Sequence, residues 1–169
     1  MPASAVASYH GRSSYLILTK YNNYADVGGD GVNKVAVQDP NATMIDPISG
    51  AKVMKTILTM NGPTPDTGLR DQGHPLAVHE WCINTAVVDP AGKCAIVNSE
   101  DGNVYRWDFR TNTLTFKINL STGFGEPYTP TVIGPDGKVY AINNATLFAI
   151  GANPAPAARP GDRLFRRFP

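Results

Sequence analysis

Residues 85–98 read TAVVDPAGKCAIVN, and residues 130–143 read PTVIGPDGKVYAIN. Both stretches place an apolar run, a turn and a second apolar run in the same order. Pro90-Ala91-Gly92-Lys93 lies over Pro135-Asp136-Gly137-Lys138, Val87-Val88 over Val132-Ile133, and Cys94–Asn98 over Val139–Asn143. Pro fixes φ at the turn entry, and Gly supplies the positive φ at its exit. The spacing is about 45 residues; further on, Val104-Tyr105-Arg106-Trp107 lies over Leu147-Phe148-Ala149-Ile150 after a shortening by two residues. A period of about 40–45 residues carrying four short strands is that of a β-propeller blade.

Working outward, similar runs recur at Tyr15–Thr19, Lys34–Val37, Val53–Thr59, Ile83–Val88, Val104–Trp107 and Leu114–Ile118. They are short and rich in Val, Ile, Thr and aromatics, which is strand composition. No window holds a helical apolar period over eleven or more residues. The stretch AKVMKTILTM at 51–60 reads as alternation instead. A looser copy of the repeat starts earlier, with Val35–Asp39 lying over Val104–Asp108. Tyr15–Lys20 would precede it, Lys52–Met60 would follow it, and Ser4–Ser8 would supply a first strand before a His10-Gly11-Arg12 turn.

The expected architecture is all-β: an incomplete β-propeller of about three four-stranded antiparallel blades, the last lacking its outer strand. Blade 1 spans 1–60, an inter-blade loop 61–81, blade 2 82–120, a three-stranded blade 3 121–151, and a disordered Pro/Arg tail 152–169. The alternative is a compact β-protein of another kind whose repeat arose by chance. A propeller needs at least four blades to close, so the chain reads as the C-terminal fragment of a larger one. Open blade faces then predict self-association.

Composition narrows the chemistry. The 15 Lys and Arg against 14 Asp and Glu leave a net charge of +1, so no electrostatic attraction to nucleic acid is expected. No apolar run is long enough for membrane insertion. The first ten residues, MPASAVASYH, lack a basic start and a continuous apolar run, so no signal peptide is visible.

The motifs carry little catalytic promise. Across the predicted hairpin Val88 would face Lys93 and Val87 would face Cys94, leaving Cys82 roughly 17 Å along the strand, too far for a disulfide. Two buried, unreactive thiols are expected. His74, His79 and Glu80 in GHPLAVHEW lack the H-E-x-x-H spacing of a zinc helix. Asp26 and Asp30 stand at loop positions 1 and 5 of a calcium-type loop, but Val37 occupies position 12. They are the only metal candidates, with calcium as the ion, and no other cofactor is expected. Glu100 and Asp101 read as a solvated hairpin tip. Tyr21, Tyr24, Trp81, Tyr105 and Trp107 would either stack on a sugar or pack between blades.

The stretch Gly102-Asn103-Val104-Tyr105-Arg106-Trp107-Asp108-Phe109-Arg110-Thr111-Asn112-Thr113-Leu114 resembles the strand–turn–strand pattern of the quinoprotein-like (PQQ-type repeat) β-propellers. These include quinoprotein dehydrogenases and a bacterial outer-membrane assembly lipoprotein. Asp108 and Thr111 fit the pattern, Asn112 replaces its turn Gly, and Phe116 stands where a docking Trp is expected. Asp46, Ser49 and Gly50 fit more loosely, with Met54 at the Trp position. The resemblance covers about 82–150 well and 4–60 weakly, and it implies the fold more than an activity. It also implies a parent protein that is periplasmic or extracellular.

The function expected is a non-enzymatic binding or scaffold module, with an unidentified protein or glycan as partner. The long loops Tyr21–Asn33 and Asn61–Glu80 are its expected surface, with Tyr21, Tyr24, His74, His79 and Trp81 as contact candidates. The alternative is a fragment of a quinoprotein-type oxidoreductase, and the third option a carbohydrate-binding module.

Overall fold

The structure is a computed structural model describing residues 1–82, 86–120 and 130–151. The expected tail at 152–169, the link at 121–129 and the start of the Ile83–Val88 run lie outside the described residues.

The described chain is all-β, with three antiparallel sheets of three, four and three strands, none closed on itself. The first sheet joins β1 (Ile17–Tyr21), β2 (Lys34–Ile45) and β3 (Lys52–Asn61). The second joins β4 (Val87–Asp89), β5 (Cys94–Asn98), β6 (Asn103–Asp108) and β7 (Thr113–Asn119). The third joins β8 (Val132–Ile133), β9 (Val139–Asn143) and β10 (Thr146–Ile150). Within each sheet the strands pair in sequence order.

Two sequence expectations for the first sheet are corrected. Ser4–Ser8 is not a strand; Ala3–Ala5 forms a 3₁₀ turn. Pro2 holds φ at −62°, and small Ala and Ser residues carry little strand preference. The segment still enters the core through Ala5 and Val6, beside Leu16. β2 is also longer than its apolar run. Its pairing shifts between Asp39 and Thr43, so Pro40, which has no N–H to donate, falls in a bulge and the strand continues beyond it.

Alternation decides which sheets touch. In the second sheet Ala95, Val97, Tyr105 and Trp107 share one face and pack with Val35 and Val37 of the first. On the opposite face Ile96, Val104 and Ile118 pack against Ala141, Phe148 and Ile150 of the third. The four-stranded sheet therefore lies between the other two. The outer face of the third sheet carries Val132 and Leu147, 49% and 63% exposed.

The turns refine the sequence alignment. Val88 pairs with Ala95, and Ile133 pairs with Val139, so five residues separate the partners in the third sheet where six do in the second. Aligning Cys94 with Val139 is thus one residue out, and Ala95 is the counterpart of Val139. The cysteine register shifts as well: Asp89, not Val87, faces Cys94. Of the two turn glycines only Gly137 takes a positive φ, 75°; in the second sheet Lys93 does so at 50°. Gly92 instead abuts the Asp89 carboxylate, which accepts a hydrogen bond from its N–H at 3.0 Å.

Candidate functional site

Two long loops, between β1 and β2 and between β3 and β4, meet beside the sheet stack. Val78 N–H donates to Gly31 O at 3.0 Å, Gly62 N–H to Asn33 O at 2.9 Å, and the Asn33 side chain to Val78 O at 2.9 Å. Gly31 permits this approach: its φ is +74°, and a Cβ there would come within 2.8 Å of the Ala77 methyl. Between the loops lies a cleft of about 510 Å³, lined by Tyr24, Ala25, Asp26, Val27, Asn33, Asp66, Leu69, Glu80 and Glu100. Four of these are carboxylates and none is Lys or Arg.

The cleft is fixed by chain crossings. Within 61–81 the expected loop contains a short helix, α1 (Thr67–Asp71), which Asp66 caps by accepting from Leu69 N–H at 3.0 Å. Asp66 N–H donates to Ala77 O at 3.1 Å, and His79 N–H to Thr64 O at 2.9 Å. The hairpin between β5 and β6 closes the far side, where Glu100 N–H donates to Glu80 O at 3.2 Å. Asp101, expected in solvent, is 9% exposed. Its carboxylate accepts from Tyr105 Oη at 2.7 Å, Thr64 Oγ1 at 2.5 Å and Asn103 N–H at 3.0 Å. Docking of the 61–81 segment on the hairpin buries it. Tyr105 loses the ability to ionise in its ordinary range, through burial and this hydrogen bond.

Glu80 organises the rim. Its Oε2 accepts from Lys20 Nζ at 2.9 Å, Asn22 Nδ2 at 3.0 Å and Tyr24 Oη at 3.1 Å. Burial opposes the Lys20 charge, but bonds to Tyr24 and Glu80 outweigh it and hold its pKa above the ordinary value. Deeper in, His79 Nδ1 lies 2.6 Å from Glu100 Oε1, and donor atoms of Asp66, His79 and Glu100 all fall within 4.8 Å of one another. Among the described residues this is the one such group of three or more His, Cys, Asp or Glu.

The residues singled out from sequence separate. Tyr24 lines the cleft. His79 stands behind it against Glu100, whereas His74 sits in the turn after α1 and is not a lining residue. Tyr21 Oη donates to Asp46, and Lys34 lies 5.7 Å from its ring centroid. Burial and the Asp46 contact push its pKa up to about 12. Trp81 is corrected: it is 0% exposed, edge-on to Tyr105 at 5.5 Å, and its Nε1–H donates to Met60 O at 3.0 Å. A ring this large, beside the face where two sheets meet, is drawn into the core. Asp26 and Asp30 are both exposed, and among the described residues they belong to no group of three or more His, Cys, Asp or Glu. Asp30 instead accepts from Val32 N–H at 2.8 Å within its own loop.

Asp66 and Glu100 were missed from sequence. They lie 13 and 21 residues on either side of His79, so no short motif contains the trio. Cys82 and Cys94 form no disulfide, and burial raises the Cys94 thiol pKa, which disfavours a nucleophilic role. A second cavity lies against Asp39 and Lys55, but that carboxylate already accepts from Tyr9, Ser13 and the N–H of Asn41. No protein-family model matches the chain, and no curated protein matches it.

Proposed function

We propose that the chain is a propeller-type segment acting as a non-enzymatic binding module, with the loop cleft as its binding surface for a cationic side chain of a peptide partner. The observation that carries the proposal is the convergence of two long loops into one cleft with four carboxylates and no basic lining residue. Tyr24, Val27 and Leu69 add apolar surface. A Lys or Arg side chain matches both features, with an aliphatic stem and a charged head.

The propeller-type reading is supported by stacking in chain order and by equivalent facings. Tyr105 and Trp107 point to the preceding sheet, as Phe148 and Ile150 do. In the turns after β2 and β6 an Asp accepts from a backbone N–H that follows it: Asp46 from Ser49, three residues on, at 3.0 Å, and Asp108 from Arg110, two residues on, at 2.9 Å. Sugar stacking is less well supported, since Trp81, Tyr105 and Trp107 are core residues.

The test is calorimetric titration of the full chain with a short Arg/Lys-rich peptide and, separately, an Asp-rich one. Saturable binding of the basic peptide, weakened by salt and by Asp26→Asn or Glu80→Gln, is expected. Equal response to both peptides, or binding indifferent to both substitutions, overturns the proposal.

A further inference from the structure

We propose that Asp66, His79 and Glu100 form a site for a divalent transition-metal ion of the zinc class. The inference shares Asp66 and Glu100 with the cleft proposed for the peptide, but the ion alone is its probe, so its failure is distinguishable from failure of the peptide reading.

The donor set argues for the ion. One imidazole and two carboxylates are a mixed N/O set that suits zinc, whereas calcium takes oxygen ligands. Donors around a tetrahedral zinc stand about 3.3 Å apart, given metal–ligand bonds of roughly 2.0–2.1 Å. All three donors here lie within 4.8 Å of one another, so side-chain adjustment of about an ångström brings them onto one ion. Three protein ligands leave a fourth position for water, open toward the cleft that Asp66 and Glu100 line.

The backbone places the ligands in advance. Asp66 N–H is tied to Ala77 O, His79 N–H to Thr64 O, and Glu100 N–H to Glu80 O, at 3.1, 2.9 and 3.2 Å. Each ligand-bearing segment is therefore bonded to another. Supporting contacts also orient the carboxylates: Asp66 Oδ1 accepts from Leu69 N–H at 3.0 Å, and Glu100 Oε1 from Glu80 N–H at 3.1 Å. Such bonds fix ligand orientation in metal sites. The bonds that orient these carboxylates engage Asp66 Oδ1 and Glu100 Oε1, so the second oxygen of each can turn toward an ion.

The experiment is zinc binding to the chelator-treated full chain, by competition with a chromophoric chelator. Cobalt absorption serves as the geometric readout. One zinc per chain is expected, with a four-coordinate cobalt spectrum. His79→Gln, Asp66→Asn and Glu100→Gln are each expected to weaken binding at least about tenfold. Asp30→Asn, in the neighbouring loop, is expected to leave it unchanged. Circular dichroism of each variant separates loss of ligand from loss of fold. If a substituted chain unfolds, zinc-dependent chemical-shift changes of the His79 ring signals in the natural chain provide the second readout. No saturable zinc binding, zinc binding that survives all three substitutions in folded protein, or calcium binding in its place overturns the proposal.

Discussion

Tyr105 Oη donates to Asp101 Oδ2 at 2.7 Å, tying the core of the second sheet to the hairpin that bounds the cleft. The same oxygen accepts from Thr64 Oγ1, so one buried carboxylate joins sheet, hairpin and inter-sheet loop. Asp101→Ala leaves the Tyr105 and Thr64 hydroxyls and the Asn103 N–H without this acceptor. A destabilisation of about 2–3 kcal/mol is expected, since unsatisfied buried groups cost more than an average hydrogen bond contributes. Urea denaturation measures it. Amide exchange of His79 and Glu100 should quicken in the same variant, because their pins are lost together.

Trp81 is a second anchor. Its position at 0% exposure, edge-on to Tyr105, predicts a loss of about 3–5 kcal/mol for Trp81→Ala. Trp81→Phe keeps most of the packing but removes the bond to Met60 O, and should cost less. Equal stability of the natural chain and Trp81→Ala would return this residue to the surface role first expected of it.

Acid should unfold the protein through its turn carboxylates. Bonds from Ser49 and Tyr21 hold Asp46 down to about 2, and the Lys138 contact holds Asp136 there too. Asp108 is lowered further by Arg110, and Asp39 is lowered by Ser13 and Tyr9. The unfolded carboxyl titrates near 3.9, so the unfolded state binds protons first as pH falls. Stability from these groups is complete above about pH 5 and declines as pH drops toward 2. Asp46→Asn should flatten part of that decline in melting temperature and lower stability at neutral pH. A melting temperature constant from pH 6 to pH 2.5 would contradict this assignment.

The uncovered face of the third sheet should associate. Leu147 occupies the position of Val104, which on the second sheet packs against the third, and Val132 lies on the same outer face. Light scattering after size exclusion is expected to give a mass above the 18.1 kDa of one chain at high concentration. Leu147→Lys should lower it toward the monomer.

Much of the sheet layout was legible. The Pro–Gly–Lys turns and the valine-rich runs around them marked most strands, because period-two alternation and turn chemistry are local properties. The two long loops that meet at the cleft were legible from length alone. Ser4–Ser8 was misread because Ala5 and Val6 are buried in a core built from distant segments, which the local sequence does not show. Pro40 hid the continuation of β2, since a bulge is a property of two strands. Trp81 was misread because a loop-adjacent Trp looks the same in sequence whether it faces solvent or a second sheet. Asp66 and Glu100 could be recognised only once hydrogen bonds between distant segments had set them beside His79.

The most direct test of the binding-module account is amide chemical-shift mapping of the ¹⁵N-labelled chain titrated with the Arg/Lys-rich peptide. Saturable shifts centred on Tyr24, Val27, Leu69 and Glu80, and reduced by Glu80→Gln, are the predicted result. Shifts confined to the outer face of the third sheet, or none that saturate, would contradict the assignment of the loop cleft as the binding surface.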